Sequence, residues 1–178
     1  MERAVVLAAL RLAYGALGGC IFLALVLPLV LAYLLGLPLA STFGLIASAF
    51  LIEYGAVPIG IGLGLPPLYV LCAAISIEAG IFLGIYGIID TVGQTSKRVS
   101  GFLEKTKTIA GRSKMFGRYG IIGLFPCEIL IGVYICAPVS RLFGWQKGQS
   151  FAVTMAGYCV AAVATTLATL GLLRLILP

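Results

Sequence analysis

The sequence predicts an all-α integral membrane protein with three spanning helices, two broken re-entrant hairpins arranged as an inverted repeat, and a basic amphipathic helix on the cytoplasmic side. Three observations carry that expectation. Of the 178 residues, 61% are apolar and only 10% charged, against roughly 25% charged in a soluble domain, which excludes a soluble enzyme. Seven of the twelve bases are gathered in residues 97–118, beside the single acid Glu104. Two apolar stretches are broken by glycine and proline, and lipid admits such backbone only where it is buried in protein or lines a cavity.

The elements follow in order along one membrane domain, residues 1–178. No charge falls between Arg11 and Glu53, so residues 12–37 read as a spanning helix. The run from Leu12 to Leu35 alone would be about 36 Å long at 1.5 Å per residue, too long for the core of a signal peptide. Residues 43–66 read as a re-entrant hairpin, because Tyr54 to Pro67 holds three prolines and four glycines, which remove backbone donors and favour non-helical dihedrals. Pro58 and Pro66 are its expected breaks. Residues 67–92 form a second span, with proline at its start as helix geometry allows.

Residues 97–118 follow as an amphipathic helix. Val99, Phe102, Leu103, Ile109, Ala110 and Phe116 share one stripe. Arg98, Lys105, Lys107, Arg112, Lys114 and Arg118 face an anionic membrane surface; a solvated connector obeying the positive-inside rule is the alternative. Residues 119–140 read as a second hairpin, broken at Pro126. Charge counting barely separates a hairpin from a span there, so the reading rests on the breakers. Residues 148–174 close the chain as a third span.

The chain has no histidine, which leaves proton chemistry to carboxylates and tyrosines. Its five cysteines lie singly in apolar stretches without a C-x-x-C pair, so neither a metal nor a cofactor is expected. Gly60-x-Gly62-x-Gly64 lacks the context of a nucleotide loop. Gly15-x-x-x-Gly19 and Gly80-x-x-x-Gly84 read as close-packing faces, within the chain or in a homodimer.

The acids are the sharpest signal, since a charge at the centre of a span costs roughly 2.5–3.5 kcal/mol on insertion scales. Glu78, in the middle of its span, is expected to exchange protons or meet a cationic group; hydrogen-bonded packing between helices is the plain alternative. Glu53 stands just before the first glycine-rich turn, where a carboxylate and freed backbone groups can bind a cation or headgroup. Glu128 takes the matching place in the second broken segment and is expected to face Glu53 across a midplane cavity. Tyr54 and Tyr119 would supply hydroxyls, and Asp90 would sit at the interface.

Ile52-Glu53-Tyr54-Gly55-Ala56-Val57-Pro58-Ile59-Gly60 and, later, Tyr119-Gly120-Ile121-Ile122-Gly123-Leu124-Phe125-Pro126 resemble the small multidrug export protein family, a compact relative of the DedA (VTT-domain) membrane proteins. The likeness covers about residues 43 to 170. It implies two oppositely inserted hairpins and, from DedA proteins, proton-coupled movement of lipids or lipid carriers, with acids in the first hairpin and arginines in the second. Glu53 matches the first. The second segment departs, carrying Glu128 and no arginine between Arg118 and Arg141.

The function expected from sequence is therefore transport, not catalysis: a small transporter in the cytoplasmic membrane, amino terminus and basic loop inside. It would move a lipid, an isoprenoid phosphate or another amphiphile with carboxylate protonation as the coupling event. Proton-coupled export of cationic drugs and a non-transporting assembly role are the alternatives. The expected partners are membrane lipids, the amphiphile and protons, with no nucleic acid.

Overall fold

The computed structural model describes residues 14–15, 17–95 and 119–176, and among these every regular element is helical. The first helix, α1 (Leu17–Leu34), makes a π-helical turn over Phe22–Val26 just ahead of Pro28. Proline lacks the donor that an α-helical ladder needs there. Neighbouring side chains donate to carbonyls around this break, as suits a helix in lipid. Ser76 Oγ donates to the carbonyl of Leu23 at 2.6 Å, and Tyr69 OH to that of Pro28 at 2.9 Å.

After α1 come α2 (Leu39–Ile52), a tight turn at Glu53–Gly55, α3 (Ala56–Gly62) and the long α4 (Pro67–Thr95). A turn at Gly120–Gly123 leads into α5 (Leu124–Ile131), α6 (Val133–Leu142) and α7 (Lys147–Ile176). Four stretches are long and apolar enough to cross a membrane: Leu17–Leu34, Leu39–Gly62, Pro67–Thr91 and Lys147–Gly171. Large apolar side chains such as Tyr33, Leu51, Leu68, Leu130 and Leu167 stand exposed around the outside, a surface made for lipid. The basic segment with Arg98, Lys105, Lys107, Arg112, Lys114 and Arg118 lies outside the described residues.

Leu39–Gly62 is one apolar stretch more than the three spans the sequence predicts, yet it is not straight. Twenty-two residues of continuous helix would hold Ser41 and Leu63 about 33 Å apart. Instead Ser41 Oγ donates to the carbonyl of Leu63 at 3.2 Å, and Gly60 abuts Leu45. The chain doubles back at Glu53, which has φ 45°. The second broken segment doubles back at Gly132, φ 95°: the Cys136 thiol reaches the carbonyl of Leu124, and Leu124, Cys127 and Cys136 share a small core.

The breaks thus fall elsewhere than the prolines suggest. Pro58 and Pro126 are the third residues of α3 and α5, inside a first helical turn where no intrahelical donor is missed. They start helices; Glu53 and Gly132 turn the chain. Pro66 does stand at a break, immediately before α4.

Three helices stop in the same way. Gly36, Gly64 and Gly144 have φ of 66°, 83° and 70°, and the following amide bonds five residues back, as Leu65 does to Gly60 and Trp145 to Ser140. This left-handed stop caps the last carbonyls and suits glycine. Each hairpin therefore ends in the same cap, and three residues later a long helix begins, α4 at Pro67 and α7 at Lys147.

These two long helices run antiparallel. Arg141 at the end of α6 pairs with Asp90 of α4 at 2.7 Å, Tyr86 OH reaches the carbonyl of Trp145, and Phe82 meets Phe151 edge-on. The foot of the second hairpin is thereby held at the carboxyl end of α4. The foot of the first lies at the amino end, where Tyr69 OH is near Thr42 Oγ1. Gly80 and Gly84 pack against Cys20 and Ala24 of α1, so this glycine face works within the chain, whereas Gly15 and Gly19 meet nothing among the described residues.

Candidate functional site

The two hairpins meet tip to tip beside the middle of α4. Glu53, Glu78 and Glu128 each offer a carboxylate oxygen there, all within 4.8 Å of one another. Glu78 and Glu128 are fully buried and Glu53 is 8% exposed. Glu53 and Glu128, expected from the sequence to face each other across a midplane cavity, lie close together in this group, and Glu78 joins them from α4.

Glu53 is held by the second hairpin. Its carboxylate accepts hydrogen bonds from the backbone N–H groups of Val133 and Tyr134, the amino end of α6, where a helix welcomes negative charge. Gly132 makes this approach possible, because a Cβ there would collide with the Glu53 carboxylate. At its unusual φ the Glu53 backbone costs about 1–3 kcal/mol. Two such hydrogen bonds contribute about 0.5–1.5 kcal/mol each, which offsets much of that cost.

The tyrosines cross over. Tyr54, beside the first tip, donates its hydroxyl to the carbonyl of Glu128, with the Glu128 carboxylate at 3.1 Å. Tyr134, beside the second tip, donates to the carbonyl of Phe50 at 2.6 Å. Each hairpin so binds backbone that immediately precedes the other's turn. Tyr158 of α7 stacks on Tyr54 with ring centroids 5.2 Å apart, and Gly157 lets α7 approach Phe125 and Glu128 closely.

Both oxygens of Glu78 and one of Glu128 have no hydrogen-bond donor among the described residues. Among the described side chains the bases do not help: Arg141 is engaged by Asp90, and Lys147 lies over the Tyr86 ring, both at the foot of the second hairpin. Uncompensated charge in such a place is prohibitive, so the group is stable only when it holds protons or a cation. The oxygen spacing also suits a cation ligand set, although the sequence gives no expectation of a metal.

An open groove of about 320 Å³ reaches the edge of the group at Glu53 from outside, while Glu78 and Glu128 lie buried behind it. Leu51, Ile52, Ile129, Leu130 and Ile131 line it together with Glu53, Tyr54 and Tyr134. Its lips are apolar and exposed, so it faces the region where lipid would lie.

Of the residues singled out from sequence, the fold gathers Glu53, Tyr54, Glu78 and Glu128. Tyr119 stays out, exposed at the foot of the second hairpin. Gly132, Tyr134 and Tyr158 belong to the site and escape sequence reasoning. One signal could have found Tyr134: Tyr54 and Tyr134, Pro58 and Pro138, and Gly64 and Gly144 are each 80 residues apart. In that register Glu78 corresponds to Tyr158, and Glu53 and Glu128 are not equivalent.

A family model described as "Putative small multi-drug export protein" matches residues 53–164. Neither a curated protein nor a solved structure matches the chain.

Proposed function

The chain belongs to the small multi-drug export protein family, and from that premise we propose a membrane transporter that exchanges cationic amphiphiles for protons at Glu53, Glu78 and Glu128. The observation that carries this reading is the meeting of three carboxylates within 4.8 Å at the hairpin tips, with no base beside them among the described residues. A cationic head satisfies the same oxygens that protons satisfy, so the two compete for one site. The apolar lips of the groove suit a substrate that arrives from the bilayer with its tail alongside Leu51 and Leu130. A phosphate headgroup, the cargo suggested by the DedA resemblance, would look for arginine and meets carboxylates instead.

The helix arrangement supports re-entrant hairpins of inverted topology. Each returns to the side it started from, and their feet lie at opposite ends of α4, one marked by Arg141–Asp90 and the other by Tyr69–Thr42. The equal 80-residue spacing of the caps at Gly64 and Gly144 and of the long-helix starts at Pro67 and Lys147 supports two repeated units, residues 39–95 and 119–176. Broken helices meeting at the midplane are a common way to build an ion and substrate site. The seven bases of residues 97–118 favour an inside position for the foot of the second hairpin under the positive-inside rule.

The test is uptake of a fluorescent lipophilic cation by proteoliposomes under an imposed pH gradient, beside uptake of a fluorescent anionic lipid. Cation movement driven by the gradient and lost in Glu78→Gln is the expected result. Movement of the anionic lipid alone, or cation movement indifferent to Glu78→Gln, would overturn the proposal.

A further inference from the structure

Ser150, Thr154 and Tyr158 lie four residues apart on one face of α7, about 6 Å per step. All three are fully buried, and none of their hydroxyls has a hydrogen-bond partner among the described residues. A hydroxyl on a membrane helix normally satisfies itself on the carbonyl four residues back. Thr165, Thr166 and Thr169 of the same helix do so. Ser150 and Thr154 do not, so their hydroxyls are left for water, the usual partner of a buried polar group without a protein one.

The row has direction. It starts one turn inside the charged end of α7, near Lys147 and the Arg141–Asp90 pair. It ends at Tyr158, whose ring stacks on Tyr54 and whose neighbour Gly157 touches Glu128. The unpartnered oxygens of Glu78 and Glu128 continue it. In the 80-residue register the same positions on α4 are Val70, Ala74 and Glu78, with Val70 and Ala74 fully buried. One half of the protein offers hydroxyls on the way to the acids where the other offers only methyl groups.

We propose that Ser150, Thr154 and Tyr158 line a water-filled half-channel that carries protons between the amino-end side of α7 and the carboxylates, while Val70 and Ala74 keep the opposite half dry. The proposal deepens the proton-exchange reading above and rests on it. Water reaching the carboxylates from one side lets protons come and go there without passing the groove used by the amphiphile.

The experiment places single cysteines at Ser150, Thr154, Val70 and Ala74 in the full chain in proteoliposomes. Labelling by a membrane-impermeant cationic thiosulfonate is read site by site by mass spectrometry, with the native cysteines left in place. Ser150→Cys and Thr154→Cys should react at least about tenfold faster than Val70→Cys and Ala74→Cys, and from the α7 amino-end side alone. Equal rates at all four sites, or faster reaction from the opposite side, would overturn the half-channel. Because labelling needs no transport, one-sided reactivity together with cation movement indifferent to Glu78→Gln would sink the transport reading and leave the channel standing. As a second measurement, the shape-preserving pair Ser150→Ala with Thr154→Val should slow proton uptake about tenfold; unchanged uptake in a folded variant would overturn the proton route.

Discussion

Where the first unit turns its hairpin with Glu53 at φ 45°, the second turns with Gly132 at φ 95°, and the two choices fit each other. The first tip presents a side chain; the second withholds one and presents two backbone N–H groups. The long helices differ in the same manner, Val70 and Ala74 on α4 against Ser150 and Thr154 on α7. The two halves of the chain are thus complementary. What the units share builds the frame, and what they do not share builds the chemistry.

The largest effect that would break this comparison comes from Gly132→Ala. The new methyl group meets the Glu53 carboxylate at a φ few side chains adopt, and we expect a loss of roughly 3 kcal/mol or more in thermal unfolding in detergent. Gly120→Ala, also at positive φ but in open space, should cost only about 1–2 kcal/mol. Similar losses in both would mean that the tip needs glycine for its backbone alone. Removing the carboxylate in the double variant Gly132→Ala, Glu53→Ala should recover part of the stability.

Glu78→Gln sharpens the functional half of the comparison. It keeps shape and hydrogen-bonding ability, so melting should stay within about 1 kcal/mol of the parent while export falls about tenfold or more. Glu53→Gln should lower both, because it also gives up the charge at the amino end of α6, worth about 1–2 kcal/mol. A melting curve lowered more by Glu78→Gln than by Glu53→Gln would contradict the assignment of Glu53 as the structural link between tips.

Tyr54→Phe and Tyr134→Phe should each cost about 1 kcal/mol, but only Tyr54 touches a carboxylate. The pH profile of export should shift in Tyr54→Phe and hold its shape in Tyr134→Phe. The smallest effect belongs to the partly exposed Arg141–Asp90 pair. Asp90→Asn should destabilise by less than about 1 kcal/mol, and raising salt should shrink the difference.

Much of the frame is legible in the sequence, because long uncharged runs have few alternatives to spanning helices and acids inside them are costly. The turning points are less so. Proline draws attention as a helix breaker, but in a first turn it has no donor to lose, so Pro58 and Pro126 mark helix starts. Gly132 looks like any small residue among apolar neighbours, since the need for positive φ is invisible until the partner carboxylate is in place. Ser150, Thr154 and Tyr158 read as ordinary members of an apolar helix. Only their burial without partners sets them apart, and that is a property of three dimensions.

The crossed tyrosines and the borrowed N–H groups mean that neither half of the chain owns a finished site. A cut within residues 97–118 would yield two fragments, each with its own hairpin and long helix, and each missing what the other supplies: the first would carry a carboxylate without its cradle, the second a cradle without its carboxylate. Activity would then be a property of their reunion, and inheriting one half alone would confer nothing.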